Sequence, residues 1–285
     1  MTLLQAERGR RELAEPEMST VRSPHSQTSR RELSSRTISA ITILVALLAW
    51  TLITRLGLVA PLFLPPPQDV LAKFWTVASR GFVDATLVQH LLASLGRVFA
   101  ALVAATVFGI PVGLAIGTSR IGRGIFDPVL EFLRPIPPLA YLPLIIIWFG
   151  IGESAKVLVI AIAMVAPIAL STASGVRNVQ QDRLNAARSL GATRRQVIRF
   201  VVLPSALPSI LTGLRIALGA GWTTLVAAEL VAATRGLGFM IQSAAQFLVT
   251  DVVVMGILVI AAVAFVLEFG LRWLERRLVP WAGRD

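Results

Sequence analysis

Apolar residues in this chain come in long runs rather than in short amphipathic stripes. The runs Ile38 to Val59, His90 to Gly117, Val129 to Gly150, Ala155 to Val176, Leu207 to Val231 and Val252 to Leu271 are each long enough to cross a hydrocarbon core of roughly 30 Å at about 1.5 Å per residue. They predict an all-α integral membrane protein with about six transmembrane helices, an even number that puts both termini on one side. Pro61 and the block Pro65 to Pro67 end the first run. Residues 68–89 then read as an amphipathic helix lying at the membrane interface, with Phe74, Trp75 and Val77 beside Lys73 and Arg80. One segment breaks the pattern differently: between two apolar runs, residues 183–208 carry Arg183, Arg188, Arg194, Arg195 and Arg199 together with Pro204 and Pro208.

Composition agrees with the runs, at 55% hydrophobic and 15% charged residues, outside the range of an ordinary soluble domain. The absence of cysteine removes disulfide frameworks, thiol nucleophiles and cysteine metal sites from consideration. Residues 1–37 are polar, mixing arginines with Glu7, Glu12, Glu15, Glu17 and Glu32, and are expected to form a disordered cytoplasmic tail. Their charged region is too long for a signal peptide and too acidic for a transit peptide. Residues 38–280 form the transmembrane domain, with an inserted loop at 177–205, and 281–285 are a short cytoplasmic end.

The formal charge of +11 matters through its placement. With the N-terminus inside, the tail, Arg120 and Arg123, the 177–199 insert and Arg272, Arg276, Arg277 and Arg284 all fall in the cytoplasm, leaving Arg55, Lys73, Arg80, Lys156 and Arg235 outside. That asymmetry is the positive-inside pattern, which puts both termini and the insert of a multi-pass membrane protein in the cytoplasm, with membrane lipid as a partner and no nucleic acid.

Inside the insert, Ala186, Ala187, Leu190 and Gly191 fall at helical spacing, and 194–202 reads as a second short helix that Leu203 and Pro204 terminate. The small residues leave a face on which another protein can approach closely. A basic connector resting on lipid headgroups is the competing reading. The pattern Asn185, Ala186, Ala187, Ser189, Leu190, Gly191, Ile198, Leu203, Pro204 resembles the signature loop of importer permeases of the ATP-binding cassette family, although Asn185 stands where that pattern begins with Glu. The stretches LFLPPPQDVL, LRPIPPLAYLPLIIIWFGIGES, LPSALPSILTGLRIALG and LVAAELVAATRGLGFM are similar to the sulfonate/nitrate/taurine branch of that family. The resemblance implies a type I importer transmembrane domain and taurine or a related small alkanesulfonate as cargo. It also implies a coupling helix at the insert and, as partners, ATPase subunits, an external substrate-binding protein and a second copy of the permease. No cofactor is expected in this chain, ATP and Mg being held by the ATPase partner.

The remaining chemistry is sparse. The GIGESAK stretch at 150–156 lacks the Gly before Lys156 and the Ser or Thr after it that a phosphate-binding loop requires. With His25 in the tail and His90 at a span end as the only histidines, neither a metal cluster nor a His-based triad can be assembled. His90 is expected to be a satisfied interfacial residue. Charges within the spans, namely Arg97, Glu131, Arg134, Arg215, Glu229 and Glu268, are costly to insert and therefore candidates for function. Structural pairing or snorkelling suits Arg97 and Arg215, and an i,i+4 pair with Arg272 suits Glu268. Pro135, Pro137, Pro138 and Pro143 interrupt the third run, predicting a kinked helix beside a cavity. The translocation path is assigned to Arg134, Pro137, Pro138, Tyr141, Trp222, Thr223 and Glu229, the last at the end of a helix rich in small residues. An ATP-independent channel or secondary carrier is the alternative function, with an integral-membrane enzyme behind it.

Overall fold

A computed structural model of the chain describes residues 35–280; the tail expected up to residue 37 lies outside it except for its last residues, and so does the 281–285 end. Contacts divide the chain into units 1–46 and 47–285. The first helix, α1 (Ser35–Arg55), runs across that division. From Ile38 to Leu44 its large apolar side chains are exposed, as suits a helix meeting lipid, and Thr42 satisfies its hydroxyl by donating to the Ile38 carbonyl.

Within the second unit, the Trp50 indole N–H donates to the Pro65 carbonyl at 3.1 Å, tying the end of α1 to the proline block. That block is also the start of α2 (Pro67–Arg80), with Pro67 in the first turn, where its missing N–H costs nothing. The expected amphipathic segment of 68–89 ends earlier than predicted. Gly81, Val83 and Asp84 all take positive φ and end the helix. A capping box between Thr86 and Gln89, with bonds of 2.9 and 3.3 Å, then starts α3 (Leu87–Thr118).

The third apolar run is the main departure from the predicted layout. In place of one kinked span, α4 (Arg120–Leu133) and a 3₁₀ turn (Pro138–Tyr141) running into α5 (Leu142–Phe149) meet at a bend of 93°. Ser119 caps α4 by accepting from the Gly122 N–H. Three prolines within 135–138 remove donors at consecutive turns, so neither helix can propagate through the break. Among the described residues there are therefore five long apolar helices, or six spans if the bent pair counts as one.

The centre is a triad of α3, α6 (Glu153–Arg177) and α9 (Leu203–Ala232). Val98, Ala101, Ala105, Ile160, Ile168 and Ala217 are fully buried there. Apolar burial does not drive helices together in lipid, so close packing must do it. Gly109, Gly113 and Gly117 on one face of α3 supply it: a Cβ on Gly109 would stand 2.9 Å from the Ile168 side chain, and the other two face Thr172 and Val176 as tightly.

After α6 come the insert helices α7 (Gln181–Ser189) and α8 (Arg194–Val197), then a π turn (Ile198–Val202) that leads directly into α9. Pro204 does not terminate a helix, contrary to the expectation. It sits in the first turn of α9, and the wider π turn passes the Leu203 N–H back to the Ile198 carbonyl, so the missing Pro204 donor falls at a change of register. The fold closes with α10 (Leu237–Gln246) and α11 (Thr250–Leu278). Lys73 on α2 pairs with Asp251 at the start of α11 at 3.0 Å.

Candidate functional site

Three polar regions interrupt the apolar body, and each handles its polar groups differently. The first lies where the near ends of α3, α6 and α9 meet. Arg97 clamps Glu153 with two bonds, Nε to Oε2 at 2.5 Å and Nη2 to Oε1 at 2.8 Å. Its Nη1 reaches Glu229 Oε1 at 2.6 Å and the Arg235 carbonyl at 2.7 Å. Lys156 adds a bond to Glu153 at 2.8 Å. Glu229 is fully buried and also accepts from the Ser94 hydroxyl and the Gly238 N–H, at 2.7 and 2.8 Å.

His90 completes this network; its ring is satisfied, as expected, and has no exposure at all. Its Nδ1 accepts from the Gly236 N–H at 3.1 Å, so Nε2 carries the proton that goes to the Phe82 carbonyl at 3.0 Å. The ring is therefore held as one neutral tautomer. Two positive and two negative side chains balance, and the 235–238 backbone that leads into α10 is fixed by them and their neighbours: Arg97 donates to the Arg235 carbonyl, while His90, Ser94 and Glu229 accept from the N–H groups of Gly236, Leu237 and Gly238. Structural pairing was expected of Arg97, and it is observed. Glu229 belongs to this clamp and not to a cavity. Glu153 was not foreseen: its stretch was read only as a failed phosphate loop, and Lys156, buried against Glu153, is a member of the clamp.

The second region is the break between α4 and α5. A cavity of about 420 Å³ opens there, walled by the end of α4, by the break and its 3₁₀ turn, by residues within 162–167 of α6 and by Ala220, Thr223 and Thr224 of α9, close to the middle of both long helices. Of the residues assigned to a path by sequence, Arg134, Pro138, Tyr141 and Thr223 line it, while Trp222 and Glu229 do not. Pro137 is exposed beside it. Trp222 is 7% exposed, packed in the α3–α6–α9 core, and its indole N–H has no partner. The small residues of α9 divide between two uses: Gly213 meets Ser171 and Gly221 meets Met164, whereas Ala220 lines the cavity. The Tyr141 hydroxyl is buried without a hydrogen-bond partner.

The third region is the insert. Leu184 and Ala187 of α7 turn inward onto Val176, Val197 and Val202, so Ala187 is not part of an outward face. Asn185, Ala186 and Ser189 are exposed, and Leu190 is 89% exposed. Gly191 has a reason of its own for being glycine, with φ +78° and open space around it. Its N–H bonds the Arg188 carbonyl at 2.9 Å and the Ala192 N–H bonds the Ala187 carbonyl at 3.1 Å, the paired bonds of a left-handed helix end. Thr193 and Gln196 form a capping box that starts α8. Ile198 lines a cavity of about 550 Å³ beneath the insert, with Arg188 and Arg194 at its rim. Leu203 is half-buried and Pro204 exposed. Among the described residues, no carboxylate pairs with Arg188, Arg194 or Arg195.

Elsewhere, Glu268 makes its i,i+4 bond to Arg272 at 2.9 Å, and Arg215 lies 3.6 Å from both Glu268 and Glu275. Glu131 is exposed on α4.

Residues 105–280 match the family described as binding-protein-dependent transport system inner membrane component. The chain is 62% identical over 248 residues to the taurine transport system permease protein TauC of Escherichia coli (strain K12), covering 87% of this chain and 90% of that one. It is 38% identical over 232 residues to the putative aliphatic sulfonates transport permease protein SsuC of the same organism, covering 81% and 87%. Among solved structures, the MetNI methionine ABC transporter in inward facing conformations aligns with a TM-score of 0.60 at 22% identity, over 67% of this chain and 95% of that one. That likeness speaks to the fold alone.

Proposed function

Because the chain belongs to the binding-protein-dependent transport system inner membrane component family, we propose that it is the permease subunit of an ATP-driven importer of taurine or a related small alkanesulfonate. The observation that carries the reading is the 62% identity to TauC across nearly the whole chain. ATP hydrolysis belongs to a separate ATPase subunit, which holds the nucleotide and Mg. An external binding protein delivers the cargo.

Two copies of the permease pair, with both termini and the 177–205 insert in the cytoplasm, following the arginines. The outward face of α7 seats in the ATPase, with Asn185, Ala186, Ser189 and Leu190 as contact residues, while Ala187, Gly191, Ile198, Leu203 and Pro204 hold the insert's shape. Closure of the ATPases on ATP draws the inserts together and turns the pore outward. Cargo passes the broken-helix cavity, where Arg134, Pro138, Tyr141 and Thr223 form the wall. Irregular backbone at such depth persists where a cavity covers it, which supports placing the path there.

The test is co-purification with the ATPase and binding protein, then taurine uptake into proteoliposomes. Uptake that requires internal or external ATP at the ATPase face, and stops without it, is expected. Uptake driven by a proton or sodium gradient without ATP would hand the function to a secondary carrier.

A further inference from the structure

The cavity at the α4–α5 break is unlike the clamp because its polar groups are left unfinished. Arg134 is its one cationic side chain, and no carboxylate lines it. Among the described residues Arg134 has no ion pair. The Tyr141 hydroxyl is buried with its proton unclaimed, a costly arrangement unless something comes to accept it. Thr223 and Thr224 have already given their protons to the Ala220 carbonyl, at 2.8 and 2.9 Å. The free donors are therefore a guanidinium fork and a phenol, within a wall that is otherwise aliphatic.

We infer that this cavity is a resting site for the sulfonate head of the cargo and does not read the amine. The inference rests on the transport reading above and adds to it which end of the molecule the pore recognises. A sulfonate is a fixed monoanion with three acceptor oxygens. The planar fork of Arg134 suits two of them, and the Tyr141 O–H suits the third. An ammonium group would need a carboxylate to balance its charge, and none lines the cavity; the neutral acceptors there, the threonine oxygens and the Ala163 carbonyl that Pro167 leaves without its helical donor, carry no charge to do so. A small alkyl spacer fits the aliphatic wall. Amino- and amine-free alkanesulfonates should therefore be held alike at this point, so that discrimination between them must come before the pore.

The test uses the permease–ATPase complex in nanodiscs without binding protein, probed with radiolabelled taurine. Ethanesulfonate should displace the label at a concentration within about threefold of unlabelled taurine, and ethylamine should not displace it. Arg134→Gln should weaken binding by about ten- to a hundredfold, the scale of a lost hydrogen-bonded charge, and Arg134→Lys should recover part of it. Tyr141→Phe, which keeps the shape, should weaken it by a few-fold to about tenfold. Retention of the ATPase through purification shows that each variant is folded. Displacement by ethylamine as strong as by ethanesulfonate overturns the inference, as does the absence of displaceable binding to the unmodified complex. Unmodified protein that fails ATP-dependent uptake with its binding protein overturns the transport reading itself. Normal uptake by the unmodified complex and equally by Arg134→Gln removes only the resting site.

Discussion

The two ends of the triad treat charge in opposite ways. Arg97, Lys156, Glu153 and Glu229 all find their ionic partners inside the chain, and the surrounding N–H groups of Gly236, Leu237 and Gly238 are engaged as well. In the insert, Arg188, Arg194 and Arg195 stand exposed without carboxylates, and Leu190 holds 89% of its surface open. Closed networks in a low-dielectric interior hold the framework, and their worth is visible when one member is removed. Groups left open at the surface contribute little to the fold and are available to another molecule. Stability and assembly should therefore separate cleanly between the two regions.

The largest effect is expected from breaking the clamp. Arg97→Ala leaves Glu229 buried and unpaired, as Glu229→Ala leaves Arg97 half-matched, and each should cost about 3–5 kcal/mol. Thermal unfolding of the purified permease should show a fall of many degrees or loss of the folded protein. Replacing both residues together with apolar side chains should recover much of the loss, because the cost comes from the orphaned partner. A double variant as unstable as the sum of the singles would mean that the clamp is not one unit.

Substitutions in the insert should do the reverse. Leu190→Glu puts a charge on the outward face of α7 and should leave the unfolding temperature unchanged within the scatter of surface variants. It should weaken ATPase retention by about tenfold or more, as loss of a central interface contact does. Gly191 sharpens this. Gly191→Ala forces a Cβ into the left-handed region, at about 1–2 kcal/mol, and should loosen the turn, whereas Gly191→Asn, which tolerates that region, should retain coupling better. Equal loss with Ala and Asn would instead point to a tight contact with a neighbour at Gly191 itself.

The smallest effect is expected at the exposed Arg272–Glu268 pair. Arg272→Gln should change stability by about 0.3–0.5 kcal/mol, near the limit of detection in a melting curve. A loss comparable to that of Arg97→Ala would erase the distinction between closed and open charge on which the comparison rests.

Much of this was legible from the chain alone, for reasons tied to local chemistry. The spans α3, α6, α9 and α11 follow from uninterrupted apolar length, and the helical insert from its spacing. The break at 134–137 was seen as a kink and not as a 93° turn, because the direction a chain takes after prolines is decided by what it packs against. Pro204 was misread as a stop, since Pro ends one helix and begins another with the same residue. The clamp escaped because its members stand 56 and 132 residues apart, and no local rule brings Arg97 to Glu153 or Glu229. A usable signal did exist: α3, α6 and α9 carry ionisable residues near the same end, Arg97, Glu153 with Lys156, and Glu229, with signs that cancel. Gly191 and Ala187 were grouped as small contact residues, when the first is set by φ and the second faces inward.

The absence of cysteine from the sequence makes the central claim, that the open insert is where the ATPase docks, directly measurable. A single cysteine placed by Leu190→Cys should react rapidly with an impermeant maleimide on inverted membrane vesicles stripped of the ATPase. It should be shielded when the ATPase is added back, and it should not react at all from outside intact cells. Labelling from outside, or a rate on inverted vesicles that the ATPase leaves unchanged, would contradict the claim.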